Sequence, residues 1–143
     1  MNDGVMGGRS HAQLRIDDKG YGVFEGSVSL RNNGGFCSIQ LSLSKTMLHA
    51  YKKLVLRVKG DGKRYQFRIK SMKQQEYAYV HYFNTTKHWE EITLRLSDFY
   101  PSYRGRRVNL PNYDGQQVEQ LSFLIANKKE ERFELNIDHI AFQ

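Results

Sequence analysis

The sequence predicts an all-β fold, a two-sheet antiparallel sandwich of jelly-roll type, and three observations predict it. Apolar residues recur with a period of two and nowhere with sustained helical spacing. Clusters of glycine, asparagine and aspartate punctuate the runs as turn signals. The chain has 143 residues, the size of one domain with one core, and about eight alternating runs in one domain favour two packed sheets over an open one. Residues 1–143 are therefore expected to form a single β-sandwich domain.

The elements follow in order. Phe24, Val28 and Leu30 share one face of a first segment, and Cys37, Ile39, Leu41 and Leu43 share a face of the next. Asn32-Asn33-Gly34-Gly35 lies between them and tolerates the positive φ of a tight turn, so a hairpin with one apolar side is expected. Residues 45–53 allow one or two helical turns. Leu54, Leu56 and Val58 then alternate with Val55, Arg57 and Lys59; after Gly60-Asp61-Gly62, Tyr65, Phe67 and Ile69 alternate with Arg64, Gln66, Arg68 and Lys70. These two runs read as the clearest hairpin of the chain. Residues 77–83 make a further strand and Ile92, Leu94 and Leu96 mark another, before a break at Ser97-Asp98-Phe99-Tyr100-Pro101. The stretch to residue 117 reads as an excursion. Two last strands carry Leu121, Phe123 and Ile125, then Phe133, Leu135, Ile137, Ile140 and Phe142.

Composition narrows the function classes. A hydrophobic content of 39% with 13% aromatics supports a packed core rather than disorder. No stretch approaches the roughly 20 apolar residues of a membrane span, and the first thirty positions carry no targeting pattern, so a cytoplasmic location is expected. The single cysteine, Cys37, forbids an internal disulfide and reads as a small buried hydrophobe. Neither a Ser-His-Asp nor a Cys-His arrangement has a local signature, and the five histidines are not spaced as ligands. No enzymatic activity, metal or cofactor is expected. The segments Asp3-Gly4-Val5-Met6-Gly7-Gly8 and Asn33-Gly34-Gly35 lack the strand-loop-helix context of a phosphate loop and read as turns.

Charge and aromatics point instead to binding. Residues 45–75 carry ten lysines and arginines against Asp61 alone, a local +9 that exceeds the net +7 of the chain and marks an anion-attracting region. With Leu54, Leu56, Val58, Tyr65, Phe67, Ile69, Ala78, Val80 and Tyr82 facing inward, strand alternation gathers Arg57, Arg68, Tyr77, Tyr79, His81 and Arg95 on the outer side. Gln66, Glu91 and Thr93 join them. Rings give stacking area and guanidinium groups fix orientation. Tyr103 and Arg104, in the excursion from Tyr100 to Arg107, form a second cluster of the kind loops present for recognition. The competing reading is an ordinary solvated face. A protein partner, a carbohydrate and an RNA or other polyanion remain open as ligands.

The residues Asp3-Gly4-Val5-Met6-Gly7-Gly8-Arg9-Ser10 resemble the complex I intermediate-associated protein 30 family, and later segments agree in order. These are Asn33-Gly34-Gly35-Phe36, the run Leu56 to Tyr65, Trp89, Ser97-Asp98-Phe99 with Arg104-Gly105-Arg106, and the run Phe133 to Ile140. The resemblance implies a galactose-binding-like jelly roll, no established enzymatic activity, and a non-catalytic domain related to respiratory complex I assembly factors that engages a protein partner. It also implies that a first strand bearing a tryptophan is lacking before Asp3, and a mitochondrial location if the chain is a piece of a longer precursor.

Overall fold

The computed structural model describes residues 10–31 and 35–143; the expected turns at Asp3–Gly8 and, but for Gly35, at Asn32-Asn33-Gly34-Gly35 lie outside them. The expected all-β architecture is present as two antiparallel sheets. The strands are β1 (His11–Ile16), β2 (Gly22–Val28), β3 (Cys37–Met47), β4 (Lys53–Lys59), β5 (Arg64–Lys70), β6 (Ala78–Asn84), β7 (Trp89–Arg95), β8 (Tyr100–Tyr103), β9 (Arg106–Arg107), β10 (Gln117–Ile125) and β11 (Glu131–Phe142). One sheet has the order β1-β2-β11-β4-β7 and the other β3-β10-β5-β6-β8-β9. A 3₁₀ turn, Leu96–Asp98, precedes β8.

Alternation drives the packing. Phe24, Leu56, Phe133 and Leu135 of the five-stranded sheet meet Tyr65, Phe67, Phe83 and Phe123 of the six-stranded sheet in one buried core. Phe24 and Phe133 approach edge-on at 4.8 Å and Phe67 and Phe123 at 5.0 Å, the offset geometry that ring quadrupoles prefer. Cys37 is fully buried among them.

Two expected hairpins are not hairpins. β4 pairs with β11 and β7, whereas β5 pairs with β10 and β6. Likewise β2 pairs with β1 and β11 while β3 pairs with β10. Both runs of apolar residues do alternate, but each connection carries the chain from one sheet to the other. At the second crossing the Asp61 carboxylate accepts hydrogen bonds from the Tyr65 hydroxyl at 3.0 Å, the Lys63 amide at 3.2 Å and the Glu134 amide of β11 at 2.8 Å. That carboxylate ties the start of β5 to the opposite sheet. Gly60 passes so close to Thr85 that a Cβ would overlap the threonine side chain, while its amide donates to the Thr86 carbonyl at 3.1 Å.

Smaller corrections have local causes. Residues 45–53 are not helical, because β3 runs on to Met47 and a short turn leads into β4. The excursion after Tyr100 contains the β8–β9 hairpin, closed by Arg104 (φ 51°) and Gly105 (φ 79°). Positive φ at both central residues matches the right-handed twist of a two-residue hairpin.

Gly60→Ala is expected to destabilise the protein by about 1–3 kcal/mol, the usual cost of forcing atoms into a filled space. Urea unfolding of the variant checks this. A stability equal to the parent's would show that the crossover yields freely.

Candidate functional site

The outer face of the six-stranded sheet is built from the strand positions left over by the core. Cross-strand partners share a face, and one row of them runs through Gln40, Ser122, Arg68, Val80 and Tyr100. A neighbouring row holds Leu124, Gln66 and Tyr82, and another pairs Gln120 with Lys70. Ala78, opposite Ser102, completes a shallow floor of small and polar side chains. Gln66, Ser102 and Ser122 are buried there even though they face away from the core.

Arg68 occupies the middle of this floor. Its Nε is buried and has no hydrogen-bond partner, and among the described residues no carboxylate lies within ion-pair distance of the guanidinium. Burial pushes its pKa down from the ordinary arginine value, with only Tyr82 and Tyr100 opposing that shift. A partly desolvated charge without a paired carboxylate is costly, and among the described residues only the two tyrosines offset that cost. The groove around it measures about 170 Å³ and is lined by Phe36, Gln40, Lys70, Glu76, Arg104 and Ser122 among others.

The other arginines of this face rest on tyrosines. The Arg64 guanidinium sits 3.8 Å from the Tyr82 ring centre and that of Arg107 4.6 Å from the Tyr100 ring centre, both within cation–π range. Gln66 Nε2 donates to the Tyr82 hydroxyl at 3.2 Å. Burial first, and then the contact with Tyr82, raise the Tyr100 phenol above its usual pKa.

The five-stranded sheet treats its cations differently. Arg57 Nε lies 3.2 Å from the Asp138 carboxylate, beside the register irregularity that falls between Ile137 and His139, and Glu91 stands opposite Arg57 on β7. Trp89 lies beneath its guanidinium at 5.6 Å. Arg15 Nε reaches Glu25 at 2.6 Å, which lowers the Glu25 pKa through that hydrogen bond.

The residues expected to share one face are therefore divided. Arg57 and Arg95 belong to β4 and β7 of the five-stranded sheet. Tyr79 and His81 point to the core side of β6, where the Tyr79 ring meets Tyr113 at 4.9 Å and the His81 ring meets Phe99 at 5.3 Å; Tyr77 packs edge-on against Tyr79. Only Arg68 and Arg104 come together, with Tyr103 beside Arg104 in the hairpin. Tyr82, Tyr100, Arg64 and Arg107 are brought to the site although the reading of β6 had put Tyr82 inward. Both phases of Tyr77-Ala78-Tyr79-Val80-His81-Tyr82-Phe83 are half apolar, and the larger rings fill the roughly 10 Å between sheets while Ala78 and Val80 turn outward. Among the described residues no three His, Cys, Asp or Glu side chains gather as a metal site.

Comparison with other proteins bears on both sequence and fold. The model of the family described as Complex I intermediate-associated protein 30 matches residues 1–137. Over 160 residues the chain is 24% identical to a probable complex I intermediate-associated protein 30, mitochondrial, of Caenorhabditis briggsae, covering 93% of this chain and 46% of that protein. The chain thus spans about half the length of that relative. Among solved structures, a family 11 carbohydrate-binding module from Clostridium thermocellum, in complex with a β-1,3-1,4-mixed-linked tetrasaccharide, superposes with a TM-score of 0.66 at 17% identity, covering 96% of this chain and 84% of that one. A family 30 carbohydrate-binding module gives 0.61 at 15% identity, covering 98% and 87%. At these identities the likeness speaks for the fold, a jelly-roll sandwich of the galactose-binding-like kind.

Because Arg68 is desolvated and unpaired, Arg68→Met, which keeps the stem and removes the charge, is expected to leave stability unchanged or raise it by up to about 2 kcal/mol. Arg57→Met, which breaks a surface ion pair, should cost at most about 1 kcal/mol. Thermal unfolding of the two variants measures both; a large loss for Arg68→Met would make that guanidinium a structural group.

Proposed function

We propose that this chain, which belongs to the complex I intermediate-associated protein 30 family, is a non-catalytic binding domain of a respiratory complex I assembly factor. It holds a protein partner against the outer face of its six-stranded sheet. The observation that carries this reading is the contrast between the two faces: Arg57 and Arg15 are matched by carboxylates, while Arg64 and Arg107 lie on tyrosine rings and Arg68 has a buried, unpartnered Nε and no ion pair among the described residues. Arginine and tyrosine in partly desolvated positions are the residue types on which protein interfaces concentrate binding energy.

Two features favour a protein over the other ligand classes. The basic residues of 45–75 alternate between both sheets, so the continuous cationic track that would follow a nucleic-acid backbone is broken. Guanidinium groups also cover one face each of the Tyr82 and Tyr100 rings, which reduces the open stacking area a sugar would use. The mitochondrial relative supports a mitochondrial setting for the chain. Among the described residues no helix is long and apolar enough to cross a membrane.

Tagged protein recovered from mitochondria tests the reading by mass spectrometry of co-purifying subunits. Complex I subunits are expected with the parent chain and with Arg57→Ala/Arg95→Ala, and to fall at least fivefold with Arg64→Ala/Arg107→Ala. Equal recovery by both double variants would dismiss the six-stranded face.

A further inference from the structure

The groove at Arg68 allows a narrower statement about what the partner presents. Its volume of about 170 Å³ lies below the roughly 300–1,000 Å³ of a typical small-molecule site and suits one inserted side chain. The charges at its wall are Arg68, Lys70 and Arg104 against Glu76, a surplus of two positive charges. Ser102 and Ser122 are buried polar residues on its floor.

We infer that this groove is an acceptor for a carboxylate side chain, a glutamate or aspartate of the protein partner, with Arg68 as its counter-charge and Lys70 and Arg104 at the rim. The inference rests on the reading of the six-stranded face as the partner-binding surface, and deepens it. A planar guanidinium pairs with a carboxylate through two parallel N–H···O bonds, and here its Nε is already buried in the sheet, which leaves less desolvation to be met when the partner arrives. The unpaired charge that is a liability in the free protein becomes a paired one in the complex. Arg64 and Arg107, on their tyrosines, lie on the same sheet outside the groove's lining and extend the acidic preference beyond one residue. Lysine at position 68 would keep the charge and lose the fork.

The probe is a ten-residue glutamate peptide, with a ten-residue glutamine peptide as control, titrated into the full chain while the arginine Nε–Hε signals are followed by NMR. The Arg68 Nε–Hε signal, together with the amides of Ala78, Ser102 and Ser122, is expected to shift with the glutamate peptide alone. Arg68→Lys and Arg68→Gln should each weaken binding at least fivefold, and Arg57→Gln should leave it unchanged. Shifts confined to exposed lysines outside the groove would overturn the inference, as would an oligouridylate or a mixed-linkage glucan that moves the groove signals when the glutamate peptide does not. Mapping on the parent protein needs no variant to fold. A peptide that misses the groove, while complex I subunits still depend on Arg64 and Arg107, would remove the carboxylate site and leave the face. A peptide that fills the groove without any such dependence would do the reverse.

Discussion

The crossing between β4 and β5 governs the arrangement of everything else. Its carboxylate, Asp61, accepts the Tyr65 hydroxyl and the amides of Lys63 and Glu134, so three stretches from two sheets are anchored at one point. Gly60 packs so closely on Thr85 that no side chain fits at position 60 without displacing it. Because the chain changes sheets there, neighbouring basic residues that share a sequence stretch end on opposite outer surfaces. The chemical character of each surface then depends on what the rest of the chain brings beside them.

On the five-stranded sheet, β11 and β7 bring acids. Asp138 and Glu91 bracket Arg57, and the result is an ordinary neutralised face whose ion pairs contribute little. On the six-stranded sheet, β3, β10, β6 and β8 bring serine, glutamine, alanine and tyrosine. The cations there are stacked or solitary, and a desolvated, unpaired arginine is tolerated in the middle of the sheet. A site that sacrifices local stability in this way has the signature of a surface kept for a ligand.

Much of the fold was legible. Period-two alternation located eight of the eleven strands described, all but β1 and the short β8 and β9, and the core positions of β4, β5, β10 and β11 were read correctly, because burial on one side of a strand leaves a direct mark on every second residue. What alternation does not encode is pairing. Gly60-Asp61-Gly62 looks like a hairpin turn, but β4 and β5 pair in different sheets, and the crossing is tied by the contact of Asp61 with Glu134, 73 positions away in sequence. The site suffered from that and from one ambiguous strand. In β6, Tyr79, His81 and Phe83 alternate with Ala78, Val80 and Tyr82, and hydrophobicity cannot choose between the phases; the volume needed between two sheets decides it. Strand alternation puts Arg68 on the outer side of β5 and residue type singles out Arg104 in its loop, whereas the outward turn of Tyr82, the place of Tyr100 and the unpaired Nε of Arg68 follow from packing. The serine and glutamine alternation of Ser38, Gln40 and Ser42 with Gln120 and Ser122 was the overlooked signal, since polar residues repeated across paired strands mark a face that is neither core nor charged surface.

The central claim is that the six-stranded sheet, and not its partner sheet, meets another protein. Site-specific photo-crosslinking tests it most directly, with a benzophenone side chain placed at Gln120 on one face or at Thr93 on the other, in protein engaged with complex I assembly intermediates. The account predicts crosslinks to a complex I subunit from position 120 and none from position 93. Crosslinks from position 93 alone would contradict it.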